Sequence, residues 1–208
     1  MKVLVIGANG QVGHQLVEKL KDKGHQPVAM VRKEEQVEQF KEKGIDTVIG
    51  DLQKDFSHAF EGVDSVVFAA GSGGDTGADM TVLIDQEGAI EAVDNANKAG
   101  VKHFVMLSSM GADAPKDAEQ MQYYLYAKHR ADEYLKASGL DFTILRPGML
   151  TNDPGTGKVR LFEGGTEIAE VPREDVANVL AHIVDTNKPE GKTYYLHEGD
   201  TPVEDTLL

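Results

Sequence analysis

Short apolar runs alternate with amphipathic patterns along the chain as far as Arg146. Six runs have the length and composition of β-strands, namely Lys2–Ile6, Pro27–Val31, Thr47–Ile49, Asp64–Phe68, His103–Leu107 and Phe142–Leu145. After the first run, Val12, Leu16 and Leu20 recur every four residues, the spacing of one face of an α-helix. Strands that alternate with helices predict a doubly wound α/β fold, a parallel sheet with helices on both faces. Ligands in such folds bind beyond the carboxyl ends of the strands.

The pattern changes after Arg146, where turn-forming residues become frequent. Three short strands are predicted in this part, at Lys158–Phe162, Thr166–Val171 and Lys192–Leu196. We interpret the last of them as an edge strand, and Pro172 as part of the first turn of a helix that runs toward Val184. Residues 150–208 are too few for an independent domain. We therefore expect residues 1–208 to form a single domain in which this segment is a small cap that contributes substrate-side loops.

The first strand leads directly into the sequence GANGQVG, in which Gly7, Gly10 and Gly13 are spaced G-x-x-G-x-x-G. A strand, a glycine-rich turn and an amphipathic helix are the arrangement that holds the phosphates of a dinucleotide. Gly7 would permit the tight turn, Gly10 the approach of the pyrophosphate, and Gly13 the packing of the helix on the sheet. A plain tight turn is the alternative interpretation. The predicted phosphate loop also contains Asn9, Gln11 and Val12.

A cationic pair, Arg32 and Lys33, follows the second predicted strand. An NAD site usually has an acidic residue about 20 residues beyond the last glycine, where it binds the ribose hydroxyls, whereas an Arg there suits the 2′-phosphate of NADP. The chain has 35 acidic and 21 basic residues, so a cationic pair at this point is informative. The sequence therefore predicts NADP as the cofactor, with NAD possible; solvated surface charge is the alternative.

The overall charge and composition narrow the choice of partners. The formal net charge is −14, and a chain this acidic repels nucleic acid. No apolar run approaches the roughly 20 residues that a membrane span needs. There is no cysteine, which fits a reducing cytoplasm, and the scattered histidines predict no metal site. We expect a cytoplasmic protein that acts on a small molecule.

Several segments together resemble the short-chain dehydrogenase/reductase superfamily, specifically its atypical branch near NmrA-like and small epimerase-like proteins. They are IGANGQVG, MVR, GDL at Gly50–Leu52, FAAG at Phe68–Gly71, VKHFVMLSSMGA, YLYAK and LDFTILRPG. The resemblance covers nearly the whole chain and implies an NAD(P)-binding Rossmann fold. It also implies that Asp51 meets the adenine amino group and that Leu52 flanks the ring. Ala69, Ala70 and Gly71 would line the path of the ribose and phosphates, and Pro147 would approach the nicotinamide.

The catalytic pattern of that superfamily is Tyr-x-x-x-Lys with an upstream Ser, and Tyr124, Lys128 and Ser109 match it. Residues four apart lie on one face of a helix. A free phenol has a pKa of about 10, and a nearby ammonium lowers it. By the resemblance, Lys128 would also hold the nicotinamide ribose. An ordinary amphipathic pair is the alternative; Tyr126, two residues on, projects from a largely opposite face.

One position departs from the superfamily pattern. Its catalytic tetrad usually includes an Asn in the helix after the fourth strand, where this chain has Asp85. An ionised Asp cannot donate a hydrogen bond as an amide does, so the usual proton relay is in doubt. Asp85 would instead orient Lys128 or a water, or would be a surface carboxylate.

Three functions are compatible with these residues. The first is an NADP-dependent oxidoreductase or epimerase-like enzyme that acts on a small carbonyl or alcohol, favoured by Ser109, Tyr124 and Lys128. The second is an NmrA-like regulatory protein that senses NADP and signals through a protein partner. The third is a flavin or quinone reductase, in which hydride passes between stacked rings.

Overall fold

The computed structural model describes residues 1–74, 76–165, 169–186 and 191–206. The strands are β1 Lys2–Ile6, β2 Gln26–Val31, β3 Asp46–Ile49, β4 Ser65–Phe68, β5 His103–Leu107, β6 Phe142–Pro147, β7 Met149–Thr151, β8 Lys158–Phe162, β9 Glu170–Pro172, β10 Lys192–Glu198 and β11 Thr201–Pro202. The helices are α1 Gln11–Asp22, α2 Glu38–Lys41, α3 Ala78–Thr81, α4 Gly88–Ala99, α5 Gln122–Ala137 and α6 Arg173–Thr186. A π-helical segment, Val82–Glu87, joins α3 to α4. None of the described helices is long and apolar enough to cross a membrane.

The predicted doubly wound α/β fold is confirmed. Nine strands form one sheet in the order β11-β8-β10-β6-β5-β4-β1-β2-β3, and the seven from β10 to β3 are parallel. All six strands predicted in the first part of the chain are present, with ends that differ by at most two residues. The chain moves outward from β1 in one direction through β2 and β3, and in the other through β4, β5 and β6. The strand order therefore reverses between β1 and β4, the point where such folds bind ligands.

Two hydrophobic clusters, one on each face of the sheet, hold the helices in place. Side chains alternate along a strand, so Val3 and Val5 contact the cluster under α1 and α6, and Leu4 and Ile6 contact the cluster under α4 and α5. Each buried Val or Leu contributes about 1.5–3 kcal/mol of transfer free energy. This burial on both faces explains why the parallel strands are almost continuously apolar.

The C-terminal segment extends the central sheet instead of capping it from outside. The prediction of an edge strand at 192–196 is wrong, because β10 lies between β6 and β8. Strand β8 pairs antiparallel with the outer side of β10, and the short β11 pairs in turn with the outer side of β8. Of the strand predicted at 166–171, residues 166–168 lie outside the described residues, and the described end belongs to β9, which pairs with β7. Helix α6 begins directly after Pro172 and packs against α1.

Candidate active site

The glycine-rich turn lies at the switch point, where β1 ends beside β4. Gly7 has φ +89°, and a Cβ built on it would lie 2.5 Å from the amide nitrogen of Ala70. A Cβ on Gly13 would lie 2.2 Å from the carbonyl oxygen of Gly7. Gly7 therefore makes the turn and Gly13 lets α1 pack on it, as their positions in the sequence predict. Gly10 has φ −77°, so a substitution there would be limited by space and not by backbone strain.

Helix α1 begins immediately after this turn, and its N-terminus is open. Its N-cap residue, Gly10, makes no side-chain capping bond, and the first turn of α1 contains no acidic residue. The first backbone N–H groups of a helix have no partner within the helix and carry partial positive charge. The start of α1, at Gln11 and Val12, therefore suits a phosphate group, and no residue of its first turn would repel one.

A cavity of about 350 Å³ lies beyond β1, β2 and β3. We call it the adenosine cavity because Asp51 and Leu52, which the resemblance assigns to the adenine, line it. Eight of the predicted cofactor residues line it: Gly7, Asn9, Gly10, Arg32, Asp51, Leu52, Ala70 and Gly71. The structure thus brings the cationic end of β2 and the GDL segment together. Arg32 is exposed at the rim and forms no ion pair within the described part of the chain.

Lys33, the second residue of the predicted cationic pair, does not line the adenosine cavity. It is exposed and is the N-cap residue of a single 3₁₀ turn, Glu34–Gln36. Gln36 lines the cavity instead, and its Oε1 accepts hydrogen bonds from the amides of Arg32 and Lys33 at 2.9 and 3.0 Å. Gln36 therefore fixes the backbone that presents Arg32.

A second cavity of about 410 Å³, the central cavity, continues from the first toward α5. The two share Gly10, Ala70, Gly71 and Ser72, so they form one groove across the carboxyl ends of the strands. Ten of the predicted residues line the central cavity: Gly10, Gln11, Val12, Ala69, Ala70, Gly71, Asp85, Tyr124, Lys128 and Pro147. Of the predicted cofactor residues, only Gly13 and Lys33 line neither cavity.

An ion pair lies at the inner wall of the central cavity. Lys128 Nζ is 3.1 Å from Asp85 Oδ1, and both side chains are almost fully buried. Asp85 Oδ2 accepts the amide of Ser72 at 2.9 Å, and Lys128 Nζ donates to the carbonyl of Leu107 at 3.4 Å. Burial disfavours the ammonium, but Tyr124 and Asp85 outweigh burial and raise the pKa of Lys128 above its ordinary value. Lys128 is therefore a permanent cation at neutral pH.

Asp85 owes its position to the π-helical segment between α3 and α4. The wider turn of a π-helix is rare and occurs often at functional sites. Here it directs the carboxylate inward, to Lys128 and to the loop that begins at Ser72. Of the two interpretations of Asp85 considered from the sequence, the structure excludes a surface carboxylate and shows a direct contact with Lys128.

Tyr124 faces the same cavity one helical turn before Lys128. The Lys128 Nζ lies 5.6 Å from the centre of the Tyr124 ring, within the range of a cation–π contact. Tyr126 is 40% exposed and does not line the cavity. Tyr123 also lines the cavity, so the contact with Lys128 is the feature that distinguishes Tyr124 from the other tyrosine there.

Of the two serines that follow β5, Ser108 lines the central cavity and the predicted Ser109 does not. The backbone stays extended beyond β5, since the amides of Ser108 and Met110 donate to the carbonyls of Leu145 and Pro147. Successive side chains therefore point to opposite sides, and only Ser108 faces α5. Its hydroxyl donates to Asp132 at 2.7 Å, whereas the hydroxyl of Ser109 donates to the carbonyl of Met110 at 3.3 Å.

Behind Ser108 lies a buried charged network that the sequence analysis missed. Arg146 donates through Nε and Nη2 to Asp132 Oδ2, at 3.1 and 2.9 Å, and through Nη1 to the hydroxyl of Tyr195 at 2.8 Å. Burial raises the pKa of Asp132, although Arg146 and Ser108 oppose that effect. The network links β6, α5 and β10 directly beneath the cavity wall. Its partners are 14 and 49 residues apart along the chain, so no local pattern could have indicated them.

Among the residues that the structure describes, no group of three or more His, Cys, Asp or Glu side chains is placed to hold a metal ion.

The groove runs from Arg32 to Lys128 and has the glycine-rich turn at its middle. The guanidinium of Arg32 lies at one end, and the phenol of Tyr124 lies beside the buried ammonium of Lys128 at the other. A doubly wound sheet with such a groove defines an NAD(P)-binding Rossmann-fold protein.

The match to a known family agrees with that definition. Residues 7–187 match the NAD(P)H-binding family, and the chain belongs to it. Its relatives and structural neighbours are oxidoreductase-like and epimerase-like proteins of the atypical short-chain dehydrogenase/reductase type.

Three known proteins are similar over nearly their whole length. YhfK of Bacillus subtilis strain 168, described as an uncharacterized sugar epimerase, is 42% identical over 212 residues, which cover 100% of this chain and 99% of YhfK. A structure from Bacillus halodurans, assigned provisionally as an NAD-dependent epimerase/dehydratase, is 51% identical with a TM-score of 0.95, covering 98% of this chain and 97% of that one. The oxidoreductase ylbE of Lactococcus lactis is 31% identical with a TM-score of 0.89, covering 99% and 94%.

Proposed function

We propose that this protein is an NADP-dependent oxidoreductase, or an epimerase that works through reversible oxidation, acting on a small carbonyl or alcohol. The observation that carries the proposal is the continuous groove. It places Arg32 at the adenosine end and the Tyr124, Lys128 and Asp85 cluster at the other end, with the glycine-rich turn between them. A nucleotide sensor has no need of a phenol held beside a buried ammonium.

Arg32 supports NADP in preference to NAD. It lines the adenosine cavity where the 2′-phosphate of NADP binds in related folds, and it has no acidic partner among the described residues. A guanidinium forms charge-assisted, bidentate hydrogen bonds to phosphate. Each bond to a charged group contributes about 1.5–3 kcal/mol, which is roughly tenfold or more in affinity.

The dinucleotide, when bound, supplies or accepts the hydride. The protein must then exchange a proton with the substrate oxygen, and Tyr124 is the tyrosine of this cavity that lies beside Lys128 and suits the step. The ammonium of Lys128 favours the phenolate when the proton leaves, and it lies on the side from which it can also donate to a ribose hydroxyl. Asp85 holds Lys128 in place through their ion pair.

Ser108 has a different task from the one expected of the upstream serine. Its proton is directed to Asp132, so its oxygen is left to accept a hydrogen bond from the substrate side. Ser108 could therefore hold a substrate hydroxyl that donates to it at the wall of the central cavity. This arrangement suits an alcohol, the species that an epimerase or a dehydrogenase oxidises.

The names of two relatives bear on the choice between oxidoreductase and epimerase. Both the Bacillus subtilis and the Bacillus halodurans proteins are described as epimerases or epimerase/dehydratases. An epimerase returns the hydride to the opposite face of the same substrate, so no net NADPH is consumed. We propose a small-molecule substrate, no nucleic-acid partner, and the cytoplasm as the compartment.

The test combines NADPH consumption with isotope retention. NADPH oxidation is followed against aldehydes, ketones, quinones and flavins, and sugars are incubated with NADP⁺ in deuterated water. An epimer formed by hydride return should carry no deuterium at the inverted carbon, because the hydride stays on the nicotinamide. Tyr124→Phe removes the hydroxyl with almost no change in shape, and turnover should fall about 10²–10⁴-fold while cofactor affinity is retained. Tyr126→Phe is the matched control.

Two outcomes would contradict the proposed function. Full activity of Tyr124→Phe toward flavins or quinones would replace the proposal by ring-to-ring hydride transfer. Tight NADPH binding without turnover of any substrate would replace it by an NADP sensor, and a protein partner would then be sought by pull-down.

A further inference from the structure

The central cavity has one cation whose charge the fold leaves unmatched. Among the described residues that line this cavity, the cationic side chains are Lys128 and Arg173. Lys128 is paired with Asp85 at 3.1 Å. Arg173 forms no ion pair with any carboxylate of the described residues, in a chain that has 35 acidic residues.

Arg173 is nevertheless held in a defined orientation. Its Nη1 donates to the carbonyl of Leu150 at 3.2 Å and to Asn152 Oδ1 at 2.8 Å, both in the chain that follows β6. Its Nε and Nη2 groups donate to no described residue. A guanidinium fixed through one nitrogen retains an edge of free N–H donors, which is the form suited to an oxyanion.

The two acidic side chains that directly follow Arg173 in the chain are already occupied. Glu174 follows Arg173, but its Oε2 accepts the amide of Gly155 at 2.9 Å and its Oε1 lies 3.6 Å from Lys19. Asp175 is fully buried and accepts the amides of Thr156 and Gly157. The two carboxylates bind the loop at 155–157 and do not neutralise Arg173, which therefore remains available to bind another anion.

The position of Arg173 is unfavourable for the helix that contains it. Arg173 is the first residue of α6, where the helix dipole disfavours a cation by a few tenths of a kcal/mol or more. Such a local conflict with secondary structure is expected where a residue serves a ligand.

We propose that Arg173 binds the dinucleotide diphosphate from the side opposite α1, at the phosphate next to the nicotinamide ribose. Arg173 lines the central cavity together with Gly10 and Gln11, at the start of α1 where the phosphates bind. It also lines a neighbouring cavity of about 650 Å³ with Asn9, Gly10 and Gln11, on the outer side of the same turn. Because it lines the central cavity and not the adenosine cavity, we place it at the phosphate on the nicotinamide side. The inference rests on the proposed dinucleotide site and assigns part of the C-terminal segment to cofactor binding.

The diphosphate is then held between two parts of the fold. The open N-terminus of α1 contacts it from one side and Arg173 from the other. Because Leu150 and Asn152 orient Arg173, the chain after β6 becomes part of the cofactor site, and the same chain borders the cavity in which substrate would react.

The test compares ligands that do and do not contain the second phosphate. NADP⁺, NAD⁺ and adenosine 2′,5′-bisphosphate are titrated by calorimetry into the wild type, Arg173→Ala and Arg32→Ala, with Arg130→Ala, an exposed arginine on α5, as the matched control. For Arg173→Ala we expect the Kd values of NADP⁺ and NAD⁺ to rise by the same factor, about 10- to 100-fold, and that of the bisphosphate to change less than about twofold.

Arg32→Ala should give the opposite pattern, with NADP⁺ and the bisphosphate weakened and NAD⁺ retained. Arg173→Gln, which can keep the hydrogen bond to Leu150, provides a second variant should Arg173→Ala unfold. Thermal unfolding of both is measured first, and either variant that folds completes the test.

Three results would overturn the inference. NADP⁺ could bind Arg173→Ala and Arg173→Gln as it binds the wild type. The bisphosphate could be weakened as much as NADP⁺, which would place the effect at the adenosine end. Cofactor affinity could be unchanged while the KM of an anionic carbonyl substrate rises, which would assign Arg173 to the substrate. Failure of the wild type itself to bind NADP⁺ would instead overturn the proposed function together with this inference.

Discussion

The two ends of the groove are built on different physical principles. At the adenosine end, Arg32 is exposed at a rim, makes no ion pair among the described residues, and is positioned only through its backbone by Gln36. At the nicotinamide end, Lys128 and Asp85 are almost fully buried and paired before any ligand arrives. A surface charge can be exchanged with little effect on folding, whereas a buried pair is part of the fold.

This difference matches what each end has to do. Cofactor choice requires only a difference in affinity between two nucleotides, and an exposed arginine supplies it. Proton transfer requires a phenol and an ammonium in fixed geometry, because an error of about 1 Å is costly in rate. We therefore expect substitutions at the nicotinamide end to change stability and activity, and substitutions at the adenosine end to change affinity alone.

The largest effect should come from the buried network beneath Ser108. Arg146→Met leaves Asp132 buried without its counter-charge, and we expect the free energy of unfolding to fall by about 3–5 kcal/mol. Denaturant unfolding measures it. The double variant Asp132→Leu with Arg146→Met removes both charges and should recover much of the loss. Equal stability of Arg146→Met and the wild type would contradict the view that this end is part of the fold.

A second effect concerns the pH range of the nicotinamide end. In the wild type, Asp85 and Tyr124 raise the pKa of Lys128, so the ammonium persists to high pH. Asp85→Asn removes one of these contributions while burial continues to disfavour the charge. The pKa of Lys128 should fall, and the alkaline limb of kcat/KM should move to lower pH. NADP⁺ affinity measured from pH 7 to 10 provides the same information without turnover, and an unshifted limb would show that Asp85 does not support the charge.

At the adenosine end the expected effect is smaller and selective. Arg32→Ala should raise the Kd of NADP⁺ by about ten- to a hundredfold, the equivalent of roughly 1.5–3 kcal/mol, because the 2′-phosphate loses its charge-assisted bonds. The Kd of NAD⁺ and the unfolding midpoint should stay unchanged. If Arg32→Ala keeps the preference for NADP⁺, or if the wild type binds both cofactors equally, then Arg32 does not choose the cofactor.

The smallest effect is expected at Lys33, the neighbour that lies outside the cavity. Lys33→Ala should change NADP⁺ affinity by less than about twofold and stability by less than about 0.5 kcal/mol, as is usual for exposed side chains. Calorimetric titration of NADP⁺ into Lys33→Ala and Arg32→Ala, measured side by side, compares the two effects. An effect as large as that of Arg32→Ala would mean that the chain after β2 moves when cofactor binds.

Much of the fold and of the cofactor groove followed from local patterns in the sequence. Apolar runs of strand length, separated by helical spacing, predicted the parallel sheet because both of its faces must be buried. The glycine spacing predicted the turn at Gly7 and the packing at Gly13, since these depend on the backbone within a few residues. Tyr124 and Lys128 share a cavity because a helix places residues four apart on one face.

Other features arose only when distant parts of the chain met. The place of β10 inside the sheet depends on β8 and β11 on its outer side. Ser108 and not Ser109 faces α5 because bonds from Ser108 and Met110 to β6 keep the backbone extended beyond β5. The bond from Arg146 to Tyr195 and the position of Arg173 beside the turn at Gly10 require elements that are remote in sequence. Local periodicity thus determined which elements form, whereas tertiary packing decided which polar side chains contact one another. The reason is that an unpaired buried charge is costly, so buried charged groups are paired with whichever opposite charge the packed elements place beside them.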